Sequence, residues 1–360
     1  MMKTIKQSAP YIRKDVSTNR MMTDVIIALL PVLVFAIYRF GFDALLRLVV
    51  SVFVMVIGEA IAFGMMHKPN PSEKLRERLK SRYQKYTINN ISIPVLSGLI
   101  YGLIIPSKLP IYAVVIGALF AIIIVKMIFG GTGNNIFNVA AGGRVFVGLA
   151  VTLMFTGTYV ETDFVAGATA LTSFRGNLGF PYVLESYSLL DLFIGNIPGS
   201  MGEISSLAII IGGIYLLIRR SADYKLMLGS IVPFMVMMLI AGLAINSERA
   251  FEFMLFQLFA GGILFGAVYM ITDPVTSPIT GPGRYIYGLI FATLVVLIRL
   301  FGGYPEGVAF AILLANIFVS LIDYPKWSTN RFTKKFYIGY GVSFTLIAAM
   351  IFLGAGGYLG

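Results

Sequence analysis

Long apolar runs alternate with short polar segments along almost the whole of this sequence. A helix that crosses a bilayer needs about 20 mostly apolar residues. The runs predict eleven candidate membrane spans, at 22–42, 44–66, 91–105, 110–129, 136–155, 205–220, 226–245, 253–271, 285–300, 305–322 and 336–353. The third and sixth are short, so we expect them to be tilted, broken or partly buried in protein. The pattern predicts an all-α polytopic membrane protein.

The polar segments divide the chain into four parts. They are a basic N-terminal segment at 1–21, a membrane domain of about ten helices at 22–324, a basic linker at 325–335 and an extra C-terminal span within 336–360. Two pairs of short matches hint at two related halves, although matches of this length also arise by chance. They pair Gly143–Leu149 with Gly283–Leu289 and Asn135–Phe137 with Asn316–Phe318.

The composition agrees with this class. The chain is 58% hydrophobic and 12% charged, whereas a soluble domain is about 45–50% apolar and about 25% charged. A net charge of +11 would suit nucleic acid. In a membrane protein it indicates instead that lysine and arginine collect in cytoplasmic loops. We therefore predict contact with membrane lipid and no nucleic-acid partner.

The distribution of lysine and arginine predicts the orientation. Both residues concentrate in the N-terminal segment, in the loop 67–90, and in the stretches 219–225 and 326–335. Loops rich in these residues stay in the cytoplasm, which predicts a cytoplasmic N-terminus. The segment 156–204 holds one basic residue and would be exported. We predict a multi-pass protein of the bacterial cytoplasmic (inner) membrane, with Thr169 on the outer side.

Cysteine and histidine counts limit the redox chemistry. Cysteine is absent and His67 is the single histidine. These counts exclude a cysteine-ligated iron–sulfur cluster within this chain and argue against haem ligation or a metal site. A redox group carried by this chain would then be organic, and any cluster would belong to another subunit.

The exported segment contains a candidate attachment site for such a group, the sequence Asp163-Phe-Val-Ala-Gly-Ala-Thr169. It is similar to a D-x-x-[S/T]-G-A-T motif in which FMN is joined through its phosphate to the threonine. Gly167 and Ala168 are small enough to admit a nucleotide beside the hydroxyl, and glycine permits a strained backbone. Asp163 could bind a divalent cation of the transferring enzyme or orient the hydroxyl. The alternative is an ordinary loop threonine, because short motifs occur by chance.

Two polar stretches near the predicted helix ends carry further candidates. The glycine-rich loop 130–138 places Asn135 and Asn138 where their amides could hydrogen-bond an isoalloxazine ring; a tight turn before a helix is an equal alternative. Asp273, which precedes a proline, would either cap and turn the chain or sit on an ion or cofactor path.

Charged residues inside the predicted spans are few, and they include Arg47, Glu59, Lys126, Arg144 and Arg299. Most lie close to predicted helix ends, where we expect them to extend to the membrane surface. Glu59 lies deeper. A carboxylate at that depth is costly unless it is paired or hydrated, so Glu59 is a candidate for cation coupling.

These motifs, in this order, resemble those of one membrane-protein family. It comprises the D subunit of the Rnf ion-translocating ferredoxin:NAD oxidoreductase and the B subunit of the sodium-translocating NADH:quinone oxidoreductase. The most specific stretches are Asp163–Thr169, Ile271–Val275 and Gly303–Ala311. Two departures are Ala166, where the family often has serine, and Val139, where proline is common.

The resemblance implies properties that composition alone does not give. It implies ten core helices in two related halves, like a urea transporter, with FMN bound covalently at Thr169. It allows a second, non-covalent riboflavin, and it implies A, B, C, E and G partner subunits and a flavin transferase. The chain would then carry electrons while the complex moves Na⁺ or H⁺. The alternatives are a quinone-reducing complex and a urea-channel-like solute transporter without a redox role.

Overall fold

The structure is a computed structural model that describes residues 18–67, 75–155, 171, 188–196, 199–302 and 307–358. Every regular element in these ranges is a helix. The first six are α1 (Thr18–Phe40), α2 (Phe42–Met66), α3 (Leu75–Arg82), α4 (Asn89–Ile104), α5 (Ile111–Leu119) and α6 (Val139–Phe155). The next four are α7 (Leu189–Ile194), α8 (Ser206–Arg219), α9 (Tyr224–Ile245) and α10 (Ala250–Phe259). The last four are α11 (Ile263–Phe265), α12 (Gly281–Leu300), α13 (Val308–Ile322) and α14 (Lys334–Tyr358).

Each predicted span corresponds to a helix, which confirms the polytopic class. Within the described ranges, α1, α2, α9, α12 and α14 are long and apolar enough to cross a membrane. The third and sixth predicted spans are the short helices α4 and α8, of 16 and 14 residues. In the described ranges, three more apolar helices are shorter than a full span, and one further pair of helices is bent.

Two predicted boundaries need correction. The eighth span, predicted as one run at 253–271, is two helices bent by 60° between Phe259 and Ile263. Gly261 at this break has a φ of +129°, a conformation that residues with a Cβ rarely adopt. The fifth span begins at Val139 rather than at residue 136, because Asn138 caps the helix and the preceding residues form turns.

Small residues let pairs of helices pack closely. The Ser51 hydroxyl on α2 donates to the Gly98 carbonyl on α4 at 2.8 Å. A Cβ placed on Gly288 of α12 would lie 2.5 Å from the Gly229 carbonyl carbon of α9. In a bilayer the lipid tails are as apolar as the helices, so the hydrophobic effect does not drive helices together. Close packing at small residues and interhelical hydrogen bonds of this kind drive their association instead.

Polar contacts gather the basic segments at one end of the helices, which we call the basic side. Four contacts join segments distant in sequence there: Asp24 with Arg219, Asp223 with Arg284, Thr280 with Asp323, and Gly281 with Asn330. The stretches 219–225 and 326–335 therefore lie on the same side. Which side of a membrane this is stays a prediction.

The C-terminal helix α14 is the least enclosed of the five long spans. Only 11% of its most apolar window is buried, against 33–56% for the other four. It contacts α9 and α12 and leaves most of its surface open. The helix therefore lies at the edge of the helix core, and the domain boundaries stay a prediction.

Candidate functional site

An ion pair is buried on the basic side between α2 and the helix that follows α5. The chain continues from α5 as a π-helix over Phe120–Met127, and Lys126 lies near its end. Its ammonium donates to Glu59 Oε2 at 2.5 Å, and each side chain is only 1% exposed. The Thr132 hydroxyl donates to the other carboxylate oxygen at 3.4 Å. Both charges are thus compensated inside the protein, as burial of ions requires.

Lys126 corrects the prediction that most intramembrane charges extend to the surface. Its ammonium turns inward, and Arg47 and Arg299 are also buried. Arg47 donates to the Leu109 carbonyl and the Asp43 carboxylate. A π-helix adds a residue to the turn and is frequent at functional sites. Nothing in the sequence pattern indicated that Lys126 is the partner of Glu59.

Asp273 approaches the same pair from the second part of the chain. Its carboxylate accepts hydrogen bonds from the Val275 amide and the Thr276 hydroxyl, each at 3.1 Å. It therefore turns the chain after the bent helix pair, as one interpretation predicted. Asp273 also interacts electrostatically with Lys126. Of these two predicted ion-path residues, Glu59 pairs directly with Lys126, and Asp273 contributes a more distant charge.

Asn138 joins the two parts of the chain beside this cluster. Its side-chain oxygen accepts from the Ala141 amide, which caps α6, and its amide donates to the Met270 carbonyl at 3.2 Å. Its backbone amide donates to the Asn316 side-chain oxygen at 3.0 Å. Met270 ends a second π-helix, Gly266–Met270, which continues from α11. The second π-helix therefore ends at this junction.

Asn316 completes this junction and was not among the predicted site residues. Its amide donates to the Thr276 carbonyl and the Tyr287 hydroxyl. Asn135 is buried, and its amide donates to the Phe137 carbonyl. The side chain of Asn135 thus supports the loop itself, and that of Asn138 joins the loop to α6 and to the second π-helix. Their predicted role in binding a second flavin stays a prediction.

The predicted attachment site lies outside the described residues. This applies to Asp163, Gly167, Ala168 and Thr169. Leu171, two positions after the threonine, is described and 1% exposed. A Cβ added to Gly261 would lie 2.9 Å from Leu171 Cδ1 and 3.0 Å from Arg299 Nη2. The chain just after the motif is therefore anchored at the break between α10 and α11, beside an arginine.

Arg299 is held firmly at this position. Its Nη1 donates to the Gln257 carbonyl at 2.5 Å. The guanidinium also lies 5.3 Å from the ring centre of Phe234, a distance at which a cation is attracted by an aromatic face. The site is at the end of α12 opposite to Arg284 and hence opposite to the basic side.

The helices and the buried charges define a polytopic membrane protein with ionisable side chains in its interior. Comparison with known proteins identifies the family. The chain matches the NQR2, RnfD, RnfE family over residues 5–330, and it belongs to that family. The helix α14 lies beyond the matched region.

Three relatives illustrate the similarity. The chain is 35% identical to the D subunit of the Na⁺-translocating ferredoxin:NAD⁺ oxidoreductase complex of Acetobacterium woodii, over 91% of this chain and 93% of the relative. It is 40% identical to the B subunit of the Na⁺-translocating NADH-quinone reductase of Chromohalobacter salexigens, over 64% of this chain but only 57% of the relative. It is 29% identical to the B subunit of the Na⁺-translocating NADH-quinone reductase of Neisseria meningitidis serogroup B, over 89% of this chain and 87% of the relative.

Proposed function

We propose that this chain is a D-type membrane subunit of an Rnf ion-translocating ferredoxin:NAD⁺ oxidoreductase complex. It would carry electrons through FMN attached at Thr169 while the complex moves Na⁺ or H⁺. The observation that carries the proposal is the collinear match to an Rnf-type D subunit over 91% of this chain and 93% of the relative. Because other relatives are named as B subunits of an NADH-quinone reductase, the alternative proposal is a subunit of a quinone-reducing complex.

The surroundings of Leu171 suit a phosphate-linked group at Thr169. Leu171, two positions after the threonine in the sequence, lies at the break beside the Arg299 guanidinium, which is itself 1% exposed. Arginine is well suited to a phosphate because its planar donors match the phosphate oxygens. FMN, when attached, would supply the redox chemistry that a chain without cysteine lacks. The chain's own contribution would be the hydroxyl and a nearby cation.

Flavin fluorescence on a denaturing gel tests the attachment. The purified chain, expressed in cells that contain the flavin transferase, should give a fluorescent band. Thr169→Ala should abolish the fluorescence, because no hydroxyl remains to form the phosphoester bond. Thr172→Ala is the matched control and should keep it. A dark wild-type band, or a fluorescent Thr169→Ala band, would contradict the attachment.

The cluster of Glu59, Lys126 and Asp273 supports a role in ion movement. Ionisable residues inside membrane proteins are expensive and often mark ion pathways. Here Glu59 pairs with Lys126, and the charge of Asp273 lies further away, so a cation passing the cluster could replace Lys126 as the counter-charge of Glu59. The residues of this cluster are the ion-path candidates of the proposed function.

Ion transport by the reconstituted complex tests this role. Glu59→Gln should lower ion uptake into proteoliposomes more than it lowers electron transfer. Glu252→Gln, at a carboxylate that is 44% exposed, is the matched control and should change neither. Unchanged ion transport in Glu59→Gln would remove this residue from the path.

The acceptor and solute specificities separate the alternatives. An Rnf-type complex should reduce NAD⁺ with ferredoxin, whereas an Nqr-type complex should reduce quinone with NADH. A channel like the urea transporters would instead move solute without any electron donor. The partner subunits, which supply the clusters and the NAD site, are part of the same proposal and should co-purify with this chain.

A further inference from the structure

An apolar groove runs between the C-terminal helix and the helix core. It is lined by α12, α13 and α14, with a volume of about 460 Å³. Apolar side chains such as Leu289 of α12 and Phe318 of α13 line one side, and Gly339 and Ser343 lie on the α14 side. The one charged residue of its lining, Lys335, is exposed at the start of α14. The groove is thus apolar along its length and positive at one end.

The length of the groove matches one leaflet of a bilayer. Its α14 lining runs from Lys335 to Ile347, which at about 1.5 Å per residue is roughly 18 Å. One leaflet of the hydrocarbon core is about 15 Å thick, half of about 30 Å. Lys335 in the first turn of a spanning helix lies at the membrane surface of the basic side. The groove therefore extends from that surface towards the bilayer centre.

The volume of the groove suits a chain rather than a helix. A helix with side chains is about 10 Å wide, as wide as the spacing between packed helices, so it needs the room of a whole helix rather than a groove beside one. Cavities of about 300–1,000 Å³ hold small molecules. A Cβ on Gly339 would meet nothing within 4 Å, so the floor of the groove is open there. A single extended hydrocarbon chain fits these dimensions.

The charge at the mouth selects the headgroup. Lys335 is preceded by Lys334 and Arg331, and all three are exposed. Basic residues close to the membrane surface attract anionic lipid headgroups. Acyl chains are equally apolar in all phospholipids, so selection must come from this end. We propose that the groove binds one acyl chain of an anionic phospholipid, with the lipid phosphate at Lys335.

Native mass spectrometry of the full-length chain in detergent tests the proposal. Phosphatidylglycerol and phosphatidylcholine with the same acyl chains are titrated separately. The wild type should bind phosphatidylglycerol more tightly. Lys335→Gln should reduce that preference about fivefold, since one basic residue contributes about that factor at a membrane surface. Lys326→Gln, an exposed lysine of the linker, is the matched control and should keep the preference.

A second pair of variants tests the groove itself. Gly339→Phe fills the groove and should abolish tight binding of phosphatidylglycerol. Gly341→Phe is the matched control, because its Cβ also meets nothing within 4 Å but the residue does not line the groove. It should bind lipid as the wild type does. Ser343→Leu is a second filling variant, should Gly339→Phe unfold.

Four outcomes would overturn the proposal. They are equal binding of the two lipids by the wild type, tight binding that survives both filling variants, and full competition by glycerol phosphate without acyl chains. The fourth is loss of the lipid when the chain is purified within its complex, which would assign the groove to another protein of that complex. None of these measurements depends on flavin attachment.

Discussion

Two ion pairs on the basic side differ in their access to water. In the first, Glu59 and Lys126 are each 1% exposed. In the second, Asp24 is buried but its partner Arg219 is 41% exposed. Asp24 also accepts hydrogen bonds from the hydroxyls of Tyr215 and Ser221. We call them the sealed pair and the open pair. Only the open pair can exchange its partner for water.

The difference separates a structural contact from a candidate functional one. The open pair fastens α1 to α8, and water at Arg219 lowers the cost of charge there. The sealed pair has no such relief. Replacing a buried pair with apolar residues is often neutral or stabilising, so stability alone does not explain its presence. The charge of Asp273 also acts on Lys126 from a greater distance, which agrees with the proposed ion path.

The largest effect is expected when the sealed pair loses its cation. Lys126→Met leaves the Glu59 carboxylate buried with the Thr132 hydroxyl as its hydrogen-bond donor. An uncompensated buried charge costs about 3–5 kcal/mol. We expect the free energy of unfolding, measured in mixed detergent and dodecyl sulfate micelles, to fall by that amount.

The double variant Glu59→Gln/Lys126→Met sharpens this prediction. It removes both charges, so most of the lost stability should return. Lys326→Met, at an exposed lysine, should change stability by less than about 0.5 kcal/mol. If Lys126→Met were as stable as the wild type, the sealed pair would have to be open to water, and its difference from the open pair would disappear.

The sequence predicted the helices well because the membrane restricts them strongly. A spanning segment must be apolar for about 20 residues and satisfy its own backbone hydrogen bonds. This constraint is local, and it located α1, α2 and α9 within a few residues. It did not predict the break at Gly261, because the stretch from Leu258 to Val268 around it is apolar throughout.

The candidate site was less predictable because it is made of distant contacts. Glu59 was identified by its depth, but Lys126 is 67 positions away and three residues from the end of its predicted span. That position suggested a side chain at the membrane surface. The π-helix and the following loop turn it inward instead. The sequence singled out Asn316 only through the three-residue match of Asn316–Phe318 with Asn135–Phe137. In the structure Asn316 accepts a hydrogen bond from the Asn138 backbone amide.

A smaller effect is expected at the buried member of the open pair. Asp24→Asn keeps the shape of the side chain but removes its charge. It also replaces one of the two oxygens that accept hydrogen bonds from Ser221, Tyr215 and Arg219. Buried groups that lose a hydrogen-bond partner cost about 1–3 kcal/mol each. We expect a loss of unfolding free energy in that range, below the loss for Lys126→Met. A loss above it would place Asp24 with the sealed pair.

The smallest effect is expected at the exposed member. Arg219→Gln removes a guanidinium that water already solvates, and exposed pairs contribute about 0–1 kcal/mol. Asp24 keeps the hydroxyls of Ser221 and Tyr215, so its charge stays hydrogen-bonded. The loss should shrink as salt is raised, because exposed charges are screened over about 10 Å at 0.1 M salt. The effect of Lys126→Met should be nearly independent of salt, since both members of the sealed pair lie inside the protein. A salt-independent loss above about 2 kcal/mol in Arg219→Gln, beyond the range of exposed pairs, would show that Arg219 is enclosed within the membrane and that the two pairs are alike.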